Sequence, residues 1–78
     1  MNSPKTLRDL PVGESGTVQY ISEHLSIRTR LMELGLIEGT MVSCIGTSPL
    51  GDPRAYLIRG AVIALRSEES KSIKIRSV

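Results

Sequence analysis

The chain has 78 residues, of which 40% are apolar, and a formal net charge of +2, with no Phe or Trp. A length of this order allows a single domain over residues 1–78, with a thin core and little volume for a substrate pocket of its own. That balance argues against a self-contained enzyme and for an accessory or binding module.

In chain order, the first signal is a helical turn at residues 6–10, stopped by Pro11. Residues 14–22 (ESGTVQYIS) follow Gly13 and read as a strand. Its apolar spacing changes between Val18, Tyr20 and Ile21, which predicts a bulge or strand end near Tyr20. The next segment, 27–34 (IRTRLMEL), is bracketed by Ser26 as N-cap and Gly35 as the residue past the C-terminus, and predicts one short helix. Ile27, Leu31 and Leu34 share a face at i, i+4 and i+7 for docking, leaving Arg28, Arg30 and Glu33 towards solvent. Eight residues of helix are not stable alone in water, so docking must hold them.

Residues 40–47 (TMVSCIGT) predict a strand with Val42 and Cys44 on one face and Met41 and Ile45 on the other. Pro49 and Pro53 stiffen the loop that follows, with Gly51 supplying a turn and Leu50 at the tip. Residues 54–59 and 61–66 flank Gly60 and read as a hairpin. Residues 72–77 alternate, with Ile73 and Ile75 inward and Lys74 and Arg76 outward. Five short strands with glycine turns predict a mainly β fold, a small closed or partly closed barrel carrying one docked helix.

The chemistry that the sequence offers is sparse. Cys44 is the single cysteine, which excludes an internal disulfide framework and any multi-cysteine metal site. His24, the single histidine, has no spacing relationship to Cys44 or to any serine that would suggest a nucleophile and base. A metal site from Glu23, His24 and Cys44 would need three scattered ligands to converge. Glu68 and Glu69, adjacent in sequence, are expected to point apart on an extended segment or both to be solvated in a turn. The glycines are spread singly, so no phosphate-cradling loop is present. No catalytic residue, resident cofactor or metal is expected.

Charge is uneven: residues 1–53 carry four basic and six acidic groups, whereas residues 54–78 carry six basic and two acidic. The basic end suits an acidic partner or a solvated, protected strand edge. Nucleic-acid binding by a small basic β-barrel is the competing reading. It relies on aromatic stacking platforms, and only Tyr20 and Tyr56 are available for them. No apolar run reaches the ~18 residues of a spanning helix. The first five residues, Met1-Asn2-Ser3-Pro4-Lys5, lack the apolar stretch of a secretory signal, so a cytoplasmic location without membrane insertion is expected.

The run from Arg30 to Thr40 (RLMELGLIEGT), then Ser48 to Pro53 (SPLGDP), then Gly60 with Ile63 to Arg66 (IALR), closely resembles the FeoA family. The opening LRDLPVGESG, residues 7–16, with Val18 is similar to that family's start. One departure is Ser67-Glu68-Glu69-Ser70, where members often have alanine after the acidic pair. The resemblance implies an SH3-like barrel and a role in bacterial ferrous iron uptake. It also implies a partner, FeoB, a membrane Fe(II) transporter with a GTP-hydrolysing domain.

Lacking iron ligands and a membrane span, the chain is expected to act by protein contact. The partner face is expected at the helix end and the 49–53 loop. Met32, Leu36, Ile37, Met41 and Leu50 are its apolar candidates, and Arg28 and Arg30 its charged ones. An unpaired edge strand further suggests weak self-association.

Overall fold

The structure is a computed structural model and describes residues 6–23 and 26–77. A single 3-10 turn, Leu7–Asp9, opens it. The Asp9 carboxylate accepts hydrogen bonds from both the backbone N–H and the hydroxyl of Thr6, each at 3.1 Å, and the turn ends at Leu10 before Pro11. Five strands follow: β1 (Ser15–Ile21), β2 (Met41–Thr47), β3 (Arg54–Ile58), β4 (Ala61–Leu65) and β5 (Ile73–Ser77). Helix α1 (Arg28–Glu33) lies between β1 and β2, and a one-turn helix α2 (Ser67–Ser70) between β4 and β5.

The strands pair antiparallel in one sheet of order β4-β3-β2-β1-β5. The sheet does not close on itself, so the expected barrel is an open sheet with β4 and β5 at its margins. Register shifts at Val18/Tyr20 in β1 and Cys44/Gly46 in β2 mark bulges, the first where the sequence pattern changed. The β3–β4 turn has two residues, one more than the strand pattern implied. Arg59 belongs to the turn, with φ 50°, and Gly60 follows at φ 86°; two positive φ values in a row match the twist of a tight hairpin.

One face of the sheet supplies most of the core: Val18, Val42, Cys44, Tyr56, Ile58 and Ile75 are among its fully or nearly fully buried members. Leu7 and Leu10 from the opening turn, Leu31 from α1 and Leu36 after it complete the same buried cluster. Cys44 is in this core with no exposed surface.

Helix α1 is shorter than predicted, and its cap differs. Ile27 occupies the N-cap position without a side-chain hydrogen bond, so Ser26 is not the cap. At the other end, the Gly35 N–H donates to the Met32 carbonyl (3.0 Å) and the Leu36 N–H to the Leu31 carbonyl (2.9 Å). Gly35 has φ 100°, a conformation that glycine adopts without a Cβ penalty. This bond pair is a Schellman ending, which brings the residue after the glycine back against the last helical turn. Leu36, expected at the partner face, is therefore buried beside Leu31, while Leu34, expected in the core, is 40% exposed.

Candidate functional site

The segment after Gly35 is fastened over β1. The Gly39 N–H donates to the Val18 carbonyl (2.8 Å), and the Val18 N–H to the Thr40 carbonyl (2.9 Å). The buried Thr40 hydroxyl donates to the Gly35 carbonyl (2.9 Å) and accepts from the Ile37 N–H (3.2 Å). These bonds leave Ile37 and Glu38 at the surface, facing α1 across the bulged end of β1.

Between them lies a hollow of about 580 Å³. Tyr20 and Ile21 from β1, Arg28 and Met32 from α1, and Ile37 line it, with Glu23 and Glu38 contributing carboxylates. Tyr20, Met32 and Ile37 are each 40–47% exposed. Arg28 is half-buried, and its Nε is buried without a hydrogen-bond partner among the described residues. Leaving such a donor unsatisfied costs roughly 1–3 kcal/mol.

The hollow unites three of the seven residues expected at a partner face: Arg28, Met32 and Ile37. Arg30 is on the opposite side of α1, facing β4. Met41, exposed at the start of β2, pairs with Thr17 of β1 and is not among the residues lining the hollow. Leu50 is 93% exposed but sits beyond the far end of β2. Six strand steps separate Met41 from Thr47, about 20 Å at the usual rise. Sequence reasoning missed Tyr20 and Glu38, although the broken apolar spacing at Tyr20 was a signal.

The 48–53 loop is ordered by its own bonds: the Ser48 N–H donates to the Pro53 carbonyl (3.1 Å), the Gly51 N–H to the Ser48 carbonyl (2.8 Å), and the Ser48 hydroxyl to the Asp52 carbonyl (2.8 Å). The Asp52 carboxylate also accepts from the Ser67 N–H at the start of α2 (2.8 Å). Helix α2 itself was not foreseen. It carries Glu68 exposed and Glu69 half-buried, the latter accepting from the Arg66 N–H (2.8 Å).

Among the described residues, no three His, Cys, Asp or Glu side chains gather as metal ligands. The Cys44 thiol points at the Gly46 carbonyl (3.9 Å), and His24 lies outside the described residues. No helix of the described residues is long and apolar enough to cross a membrane. Tyr56 is buried, leaving Tyr20 as the one exposed aromatic surface, too little for a base-stacking platform.

An open antiparallel sheet with a docked helix and a surface hollow, with no clustered metal ligands among the described residues, defines a small module of SH3-like type. The chain belongs to the FeoA domain family, whose model matches residues 5–77. The solution structure of FeoA protein from Chlorobium tepidum superposes with a TM-score of 0.87 at 29% identity, covering 94% of this chain and 70% of that one. The crystal structure of Stenotrophomonas maltophilia FeoA complexed with zinc, described as an SH3 domain protein, gives 0.78 at 30% identity, covering 90% and 87%. A Porphyromonas gingivalis protein, a fusion of Fe(2+) transport protein A with Fe(2+) transporter FeoB, is 25% identical over 72 residues. Those residues are 92% of this chain and 8% of the fusion protein. The family is associated with ferrous iron transport and is one of small accessory domains.

Proposed function

We propose that this chain is a cytoplasmic accessory protein of ferrous iron uptake that works by docking on a FeoB-type transporter, without catalysis or iron carriage of its own. The observation that carries this reading is the hollow between β1 and α1. Exposed Tyr20, Met32 and Ile37 surround Arg28, whose buried Nε lacks an acceptor. Aromatic, methionine and arginine side chains grouped around a concavity are the composition of protein interface cores. A carbonyl or carboxylate brought by a partner would satisfy Arg28, and its apolar side chains would cover Met32 and Ile37. The existence of a relative in which such a domain is joined to FeoB supports the choice of partner.

The test is a double variant, Met32→Asp with Ile37→Asp, compared with the wild type for co-purification with FeoB and for Fe(II) uptake in cells. Loss of both with an unchanged circular dichroism spectrum is expected. Retention of both in a folded variant overturns the docking face.

A further inference from the structure

Strand β4 forms one margin of the sheet and pairs only with β3. Its two-residue turn makes Ile58 and Ala61 the hydrogen-bonded closing pair. In an antiparallel ladder the bonds then alternate. Ala61, Ile63 and Leu65 bond into β3, whereas Val62, Ala64 and Arg66 turn their N–H and C=O groups outward. Arg66 is already engaged: its N–H donates to Glu69 Oε1, and its carbonyl accepts from the Glu69 and Ser70 N–H groups at 3.0 and 2.9 Å. Val62 and Ala64 make no outward hydrogen bond among the described residues. The free edge is thus a window of two donors and two acceptors, closed at one end by α2 and at the other by the turn.

Edges of this kind are normally guarded by charge, proline or a covering segment. The other margin is guarded: β5 carries Lys74 and Arg76, and Thr6 bridges to Lys74. By contrast, β4 reads AVIAL, with neither charge nor proline. Val62 is 63% exposed and stands beside its cross-strand neighbour Leu57, itself 39% exposed. A hollow of about 430 Å³ between β4 and α1, with Ile27, Leu34 and Ile63 among its lining, keeps the margin open to an incoming strand.

We infer that β4 pairs antiparallel with β4 of a second copy of this chain, about a two-fold axis through Ile63. Val62 of each copy exchanges two backbone hydrogen bonds with Ala64 of the other, so the window is filled on both sides by its own complement. In this register Ile63 of each copy faces Ile63 of the other, and the pairing ends before the β3–β4 turn and α2 on either side. Two five-residue strands cover much less than the roughly 800 Å² per partner of a standard interface, so the dimer is weak. It uses none of the residues that line the β1–α1 hollow, and its failure leaves the docking reading standing.

The test is analytical ultracentrifugation of the full chain from about 10 µM to about 1 mM, a span reaching into millimolar dissociation constants. The wild type is expected to pass from monomer towards dimer, with the Val62 and Ala64 amides gaining hydrogen-exchange protection as concentration rises. Val62→Lys places a charge on the window. Ala64→Pro removes one outward donor, which an edge strand tolerates. Either variant should weaken association at least tenfold. Should Ala64→Pro fail to fold, the exposed Val62→Lys decides alone. A wild type that stays monomeric throughout, or a dimer that persists in the folded variants, overturns the proposal.

Discussion

The Tyr56 hydroxyl donates a 3.2 Å hydrogen bond to the Leu7 carbonyl, 49 residues away in sequence, and both residues are fully buried. This bond anchors the opening 3-10 turn to the middle of the sheet, and the Arg54 guanidinium adds a 2.8 Å bond to the neighbouring Arg8 carbonyl. Burial raises the Tyr56 phenol above its usual 10.0. The nearby Ser70 hydroxyl and the Arg54 and Arg8 charges pull the other way, and Cys44 adds to the rise.

A phenol with a higher pKa when folded than when unfolded contributes stability below the unfolded value, which is lost as pH climbs towards the folded one. Urea midpoints of the wild type should therefore be insensitive to this group up to about pH 9 and fall beyond about pH 10. Tyr56→Phe should lose about 1 kcal/mol at neutral pH by giving up the bond to Leu7. Its decline above pH 10 should be shallower. Parallel alkaline limbs for the two proteins would show that Tyr56 does not govern that loss.

Gly16 and Gly46 make an internal comparison that separates packing from conformation. Gly16 is buried in β1, and a Cβ there would lie 2.9 Å from both the Arg76 carbonyl oxygen and Ile75 Cδ1. The carbonyl belongs to the β1–β5 ladder and cannot swing aside, so Gly16→Ala should cost about 1–3 kcal/mol as an overpacked site. Gly46, at the bulge of β2, would place a Cβ in open space. Gly46→Ala should stay within about 0.5 kcal/mol of wild type. Denaturant titrations rank the two, and the reverse order would contradict the close approach of β1 to β5.

Local chemistry made much of this fold readable. Gly60 marked the hairpin, alternation placed Ile73 and Ile75 inside, and the change of spacing at Tyr20 marked the bulge. What stayed hidden depends on contacts between distant segments. Helix α2 has four residues, too few for periodicity, and its first N–H is satisfied by Asp52, 15 positions earlier. The hollow exists because Gly39 and Thr40 bond to Val18, which sets Ile37 and Glu38 opposite α1. No spacing rule predicts that pairing. Leu36 is different, since Gly35 followed by an apolar residue is itself the signature of the ending that buries it.

Leu36 and Leu50 were both expected at one docking surface, and the structure assigns them opposite roles. Leu36 has no exposed surface and packs in the core cluster with Leu31, so Leu36→Ala should destabilise the chain by about 2–5 kcal/mol. Any loss of transporter binding in that variant would follow from unfolding. Leu50 is held out on a loop whose shape is fixed by backbone and Asp52 bonds that do not use its side chain. Leu50→Asp should therefore leave the urea midpoint within about 0.5 kcal/mol of wild type. Since Leu50 does not line the β1–α1 hollow, it should also leave FeoB co-purification intact where Met32→Asp with Ile37→Asp abolishes it. A folded Leu50→Asp protein that loses FeoB would move the docking face from the hollow to the loop tip.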